Sequence, residues 1–456
     1  MNRILLEPID VLFFRDGRPM GGSSSGHGAA WPLPSVINHA FHAALHRADL
    51  QGVHEHRRGC SGDYSDTRDR KFGSLVTAGP FPVCTNGEDH TWFFTRPADS
   101  DDSGLPVLSP FRNSDSSSLS NPCRYPVVSG KPPTKDASQP WWNEGAWNSY
   151  LGTEQRNTLA ARSLQKSDSD FSDTEHAYGI GINPETGSVK EGLFYSAHYL
   201  RLRSGWKLGV LATAPDKGFQ HESYGNDLVK LLLNGKGCEI LAGGQQRVCT
   251  AKLDQLPDGR LPLPMGKSNG FHRDHHNHKY LVKWVLLSPA VFPSIEAGIS
   301  KRGTTRKAHP GGWLPTWICP ETGDVLLQTI NQAERKRRRN LNASGEGYAS
   351  QPDIDARLVA SIVGKPLPVT GYALPHEAAG RDEGGAKPTH LAVPAGSIYY
   401  FECESEESAH KLANALNWHG DTPGTVIRNR RSTLMGEKGY GLGVCGSWRF
   451  HGDETP

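Results

Sequence analysis

No apolar run in this chain approaches the roughly 20 residues that a membrane-spanning helix needs. The opening apolar stretch is itself broken by Glu7, Pro8 and Asp10, so secretion and membrane insertion are both disfavoured. The eight cysteines (Cys60, Cys84, Cys123, Cys238, Cys249, Cys319, Cys403 and Cys445) form no C-x-x-C pair and no regular spacing. They read as reduced thiols, and a cytoplasmic protein is expected. An excess of one charge is missing too: 50 Lys and Arg stand against 48 Asp and Glu, a net charge of +2. Bulk electrostatics therefore mark no polyanion binder, and any such site must come from local clustering. No Ser-His-Asp order, Walker loop, H-E-x-x-H or paired-carboxylate motif occurs, which weakens an enzymatic reading. No cofactor and no metal are expected.

What is present starts at the first residues. A mostly apolar run, residues 3–14, ends in Arg15-Asp-Gly-Arg18. A strand tip with two cations and free backbone N–H groups suits phosphate. Trp31-Pro-Leu-Pro-Ser35 then leads into a helix with Ser35 as its expected N-cap, because Val36, Ile37, Ala40, Phe41, Ala44 and Leu45 form one apolar stripe.

At 456 residues the chain exceeds the size of one growing core, and two domains are expected. Residues 51–191 are rich in Ser, Asp, Gly and Pro and read as an insertion, pinned by aromatic pieces such as Trp141 to Trp147. Extended runs at residues 192–203 and 206–212 are expected to pair as a hairpin, followed by a helix at 226–233 and strands at 238–242 and 248–252. The order strand, helix, hairpin, helix, strand is a split βαβ unit. The second half repeats it: a strand at 279–287, a helix from Ile354 to Val363, strands at 367–374 and 393–402, a helix at 406–418 and a last strand at 444–450. The expected fold is α+β, two tandem ferredoxin-like (β-α-β-β-α-β) domains at 1–255 and 256–456, with insertions at about 51–191 and 290–352.

Several clusters could carry chemistry, each beside a plainer alternative. Gly439, Gly441 and Gly443 alternate around Tyr440 and Leu442, so the backbone can approach a ligand and offer N–H groups to phosphate, or simply form a strained turn. Lys438-Gly-Tyr-Gly441 opens like an RRM motif, but Leu442 and Gly443 depart from it, so base stacking in that fashion is not expected. Arg428, Arg430 and Arg431 stand just before this loop and could converge with it on a phosphodiester backbone. The run Arg335 to Arg339 reads as a solvated face. His272, His275, His276 and His278 have spacing that zinc could use, but lie in a polar, linker-like segment. His39, His42 and His46 recur at helical spacing and could present an acid or base, although satisfied or exposed histidines are commoner.

The residues Leu6-Glu-Pro-Ile-Asp-Val-Leu-Phe-Phe-Arg-Asp-Gly-Arg-Pro19, Pro34-Ser35, Leu193-Phe-Tyr195, Leu200-Arg-Leu202, Ile240-Leu-Ala-Gly-Gly-Gln-Gln-Arg247, Pro394-Ala-Gly-Ser397 and Gly439-Tyr-Gly-Leu-Gly443 together resemble the RAMP superfamily. Within it they are similar to the third-subunit family of Cmr complexes, the Cas-five-like subunits of type III-B CRISPR effectors. That resemblance implies tandem ferredoxin-like domains, no catalytic centre and a grip on the 5′ handle of the crRNA. Its implied partners are the Cas-ten-like large subunit, the first backbone RAMP subunit and, indirectly, target RNA. The implied RNA contacts are Arg15, Arg18, Ser35, Asn38, His39, Gly243, Gly244, Gln245, Arg247, Arg428, Arg430, Arg431, Gly439, Gly441 and Gly443. Gln245 and Gln246 stand where the family more often has an acid beside the arginine. Two alternatives are a metal-independent repeat endoribonuclease using His39 or His42, and an adaptor that touches only protein.

Overall fold

The computed structural model describes the chain except residues 16–28, 49, 51–74, 102–105, 113–117, 131–139, 153–163, 216–220, 222–224, 235–236, 255–258, 300–304, 328–353, 374–384 and 454–456. Among the described residues the first half contains β1 (Asn2–Pro8), α1 (Pro34–Arg47), β2 (Val76–Asn86), β3 (Asp89–Thr95), β4 (Trp141–Asn143), α2 (Glu144–Leu151) and β5 (Gln165–Lys166). It continues with β6 (Ser172–Ile182), β7 (Val189–Leu202), β8 (Trp206–Thr213), α3 (Leu228–Leu233), β9 (Cys238–Leu241) and β10 (Val248–Leu253). The second half supplies β11 (His272–Arg273), β12 (Tyr280–Leu286), β13 (Ala356–Ile362), β14 (Ile398–Cys403), α4 (Glu406–Leu416) and β15 (Gly443–Ser447).

Among the described residues, two large antiparallel sheets form beside several two-stranded ribbons. The first runs β9-β10-β1-β8-β2-β3-β4-β5, and the second β11-β12-β14-β13, with β15 also paired to β12. In both, the last strand lies beside the first, then come the third and the second: β10-β1-β8-β2 and β15-β12-β14-β13. The mixed, strand-rich architecture agrees with the α+β expectation.

Alternation along the strands divides the core. Ile4 and Leu6 of β1 point to α1 and α3, while Leu5 points the other way. There Leu5, Phe81 and Val83 share one apolar cluster with Leu281, Val285, Ile398 and Tyr400 of the second sheet. The other face of the second sheet packs on α4 through Leu412, Ala413 and Leu416. The layers are therefore helix, sheet, sheet, helix, and each sheet's helix-free face is buried on the other.

Four expectations need correction. The strand pairing with β8 inside the first sheet is β2, at residues 76–86, whereas residues 189–202 pair with β6 in a separate ribbon. The segment expected to be irregular thus supplies strands to the sheet. Its anchor is aromatic: Trp142 and Trp147 are fully buried, and each such side chain contributes on the order of 2–3 kcal/mol. Residues 356–362 form β13 and not a helix. The apolar residues Ile354, Leu358 and Ile362 recur every four positions as in a helical stripe, but a bulge between Leu358 and Ala360 breaks the two-residue alternation, so Ile354 and Leu358 pack on one face of the sheet and Ile362 on the other. Residues 367–374 are not a strand of the second sheet: Leu367–Val369 pairs with His390–Ala392, and Tyr372–Ala373 with Gly385–Ala386. Finally, Ser35 is not the cap of α1. Leu33 holds that position without a side-chain hydrogen bond and Pro34 opens the helix, as a residue lacking an N–H can. The other expected helices form at 228–233 and 406–416, capped by Asp227 and Ser405.

Candidate nucleic-acid interface

α1 and the C-terminal loop meet although about 400 residues separate them. The hydroxyls of Ser35 and Tyr440 lie 3.2 Å apart, and Asn38 Nδ2 donates to Thr77 Oγ1 of β2 at 3.2 Å. Both side chains are buried, so Ser35 and Asn38 hold α1 against its neighbours. Burial pushes the Tyr440 phenol up to about 12, which keeps it neutral in this contact. Leu33, Leu434 and Met435 pack with Val291, Val369 and Tyr440 to seal the junction. His39 faces outward, its Nε2 3.1 Å from Lys438 Nζ. Lys438 ends a single 3-10 turn, Gly436–Lys438, flanked by left-handed residues at Met435 (φ 61°) and Gly439 (φ 96°).

Beneath this turn lies Arg430. A Cβ on Gly436 would sit 3.5 Å from Arg430 Cβ, so the side chain runs along the turn. Its guanidinium has no hydrogen-bond partner among the described residues, and Nε is inaccessible to solvent. Burial pulls its pKa down from 12.5 to about 10, with Glu437 pulling weakly the other way. A half-buried cation whose Nε is shut away from water without an acceptor is costly, so one kept beside this turn suits an anion.

The neighbouring arginines differ. Arg431 donates from Nε to the Ala415 carbonyl at 2.5 Å and so satisfies the end of α4. Arg428 is exposed, and its backbone N–H is bonded to Trp418 O at 2.7 Å. The three glycines are all buried, and their small size serves chain-to-chain contact. A Cβ on Gly439 would lie 2.9 Å from Ala78 Cα, one on Gly441 would overlap Ser432, and one on Gly443 would overlap the Trp284 indole. The plainer reading of that spacing is the one their surroundings support.

A second cluster forms where the chain leaves β1. Gly244 N–H donates to Phe13 O at 2.8 Å, and a Cβ on Gly243 would lie 2.5 Å from the same oxygen, so this loop packs on the strand tip that carries exposed Arg15. Gln245 and Gln246 take left-handed φ values of 55° and 54°. Gln245 accepts from the Tyr199 hydroxyl at 2.8 Å. Arg247 lies 5.0 Å from the Tyr199 ring centroid, with Nη1 3.5 Å from Asp10 Oδ2. Asp10 thus supplies the acid that Gln245 and Gln246 do not. Arg18 and residues 335–339 lie outside the described residues.

Sequence reading missed Thr77 and Tyr199, and met Lys438 and Tyr440 only as parts of the glycine loop, because each acts across a contact that only folding creates. Among the histidines at 272–278, Asp274 is buried and engaged by Arg112 at 2.5 Å and 2.8 Å, which makes it a turn anchor. No group of three or more His, Cys, Asp or Glu among the described residues is arranged to hold a metal ion. No helix among them is long and apolar enough to cross a membrane. The sheet face on which RRM domains stack bases is here occupied by the second sheet.

A chain in the cryo-EM structure of the type III-B Cmr-beta bound to cognate target RNA and AMPPnP is 15% identical, with a TM-score of 0.37, covering 87% of this chain and 86% of that one. A chain in Cmr-beta bound to cognate target RNA is 17% identical, with the same TM-score and coverage. A chain of the Csm3-Csm4 subcomplex of the type III-A interference complex is 11% identical, with a TM-score of 0.32, covering 88% of this chain and 92% of that one. No curated protein sequence matches. The model of the CRISPR-associated protein family Cas_Cmr3 matches residues 4–448, nearly the whole length. The chain belongs to the Cas_Cmr3 family of CRISPR-associated proteins.

Proposed function

We propose that this protein is a non-catalytic, crRNA-binding subunit of a type III-B effector complex and that it holds the 5′ handle mainly through phosphate contacts. The observation that carries this reading is half-buried Arg430, whose buried Nε has no hydrogen-bond partner, under a turn that also presents Lys438 beside His39. A phosphate there would satisfy the cation and reverse the burial penalty. In this reading Arg15, Gln245 and Arg247 form a second backbone contact, Arg428 an outlying one, and Ser35, Asn38 and the glycines shape the first site. Arg247 already faces an aromatic ring, a pairing that also suits an unstacked base.

The two sheets with their matching strand order are read as tandem ferredoxin-like RAMP units divided near residue 255. In the first unit the insertion would fall between β2 and β8. The ribbon β6–β7 supports assembly with protein partners, the large subunit and a backbone RAMP subunit: Tyr178, Ile180, Ile182 and Val189 are 70%, 51%, 62% and 61% exposed. An isolated two-stranded ribbon with such an apolar row is marginal in water and gains from being covered.

In the test, the protein with its large-subunit partner is titrated with handle-bearing and scrambled-handle RNA at matched salt. At least tenfold preference for the handle is expected, and equal affinity would overturn the proposal. The competing endoribonuclease reading draws on His39 near Lys438. His42, however, lies with its ring centroid 4.6 Å from that of His46, tilted by 57°, and its Nε2 is buried, which leaves one exposed imidazole where acid and base are both needed. Repeat-RNA cleavage in EDTA that disappears in His39→Ala would favour it.

A further inference from the structure

The ribbon β6–β7 carries a pair of histidines that the RNA reading does not use. His176 and His198 stand directly opposite each other across the two strands, with ring centroids 4.5 Å apart and ring planes inclined at 75°. Cross-strand partners of this kind share one face of the ribbon. Neither imidazole makes a hydrogen bond among the described residues. His176 is exposed, and half-buried His198 has no ring nitrogen shut away from water. Both rings are open to a ligand from solvent.

The ribbon holds the pair in place. Two positions beyond His198, buried Leu200 exchanges two backbone hydrogen bonds of 2.8 Å with Leu12, so β7 is fixed to the segment that follows β1. On the other face, Glu175 and Asp173 are taken up by Arg201 and Arg203. The histidines are therefore left as the ligating groups of their own face.

Their spacing has a chemical meaning. A metal bonded to one nitrogen of each ring at about 2.1 Å stands roughly 3.2 Å from each ring centre, so a separation of 4.5 Å corresponds to an angle of about 90° at the metal. That is the angle between neighbouring ligands in square-planar or octahedral coordination, and it is narrower than the tetrahedral angle of structural zinc. Imidazole nitrogens so arranged suit nickel(II) and copper(II). Two other close pairs are less open: His42 beside His46 and His272 beside His275 each include one ring with a buried Nε2, on His42 and on His272.

We propose that His176 and His198 form a two-point binding site for a divalent late transition metal, nickel(II) or copper(II), with water in its remaining positions. The ion would staple β6 to β7. A two-stranded ribbon is marginal in water, and an ion that binds only the paired strands stabilises their pairing in proportion to its occupancy.

The test uses full-length protein without a polyhistidine tag, titrated calorimetrically with nickel(II) and with magnesium and followed by amide hydrogen exchange. Nickel is expected to fill one site more tightly than any other on the chain, and magnesium, which prefers oxygen ligands, should not bind there. His176→Gln and His198→Gln should each weaken that site at least tenfold, while His46→Gln leaves it unchanged. The exposed position of His176 keeps the test decisive if His198→Gln does not fold. Nickel should also slow amide exchange in β6 and β7 of the wild type and not of His176→Gln. Unchanged nickel affinity in His176→Gln, loss of the tight site in His46→Gln, magnesium binding as tightly as nickel, or ribbon exchange that nickel leaves unaltered would each overturn the proposal.

Discussion

Replacing Arg430 by Met should make the free protein more stable and its grip on RNA weaker. The Nε is buried and unpartnered, and burial draws the pKa from 12.5 to about 10. At about 1.4 kcal/mol per pH unit, that is a penalty of about 3 kcal/mol on the charged form in the free protein. Methionine keeps most of the stem that runs along Gly436 and removes the charge, so part of the penalty should return as stability, roughly 1–2 kcal/mol after imperfect packing. In the RNA complex the same substitution removes a charge-assisted hydrogen bond worth about 1.5–3 kcal/mol, a loss of roughly 10- to 100-fold in affinity. It should also lower the salt slope of single-strand binding by about 0.7. Urea unfolding of the free protein and RNA titrations at several salt concentrations measure the two effects separately. A destabilised variant with an unchanged salt slope would show that Arg430 serves the fold and not RNA.

Other outcomes follow from the same contacts. Arg247→Ala should also reduce the salt slope, with a small effect on stability, since its link to Asp10 is long and partly exposed. Gly443→Ala should destabilise by about 2 kcal/mol or more in urea unfolding, because the added methyl overlaps the Trp284 indole, while the salt slope of the folded fraction stays unchanged. Acid should destabilise the protein through His419, whose pKa burial lowers below 6.5 and whose Nε2 accepts from Gly266 N–H at 3.2 Å. The unfolded chain binds that proton more readily than the folded one. Stability from this group is therefore present above about pH 6.5 and is lost as pH falls below it, at up to about 1.4 kcal/mol per pH unit. Unfolding midpoints between pH 5 and 8 test this, and His419→Gln should flatten the slope.

Strand β1, helices α1 and α4 and the closing strand β15 were legible because each has a regular apolar period and few competing signals. The bulge in β13 hid a strand inside a helix-like spacing, and β2 lay in a segment whose Ser- and Asp-rich surroundings disguised it. Local pattern also could not show which extended runs pair: residues 189–202 and 206–213 are adjacent in sequence but belong to different sheets. At the candidate site the residue types were readable and their roles were not. Ser35 and Asn38 turned inward because Tyr440 and Thr77 offer them partners. Arg431 went to a helix end, while Arg430 kept a buried Nε without a hydrogen-bond partner. Such an outcome depends on contacts made across the whole chain, and no spacing rule contains it.

The central claim is that RNA passes between α1 and the turn before Gly439. Photo-crosslinking in the assembled complex, with a photoreactive nucleotide placed in the 5′ handle of the crRNA, tests it most directly. Adducts are expected on peptides containing His39 and residues 428–438, with fewer in Arg430→Met. Adducts confined to other surfaces, with none on these two segments, would contradict the account.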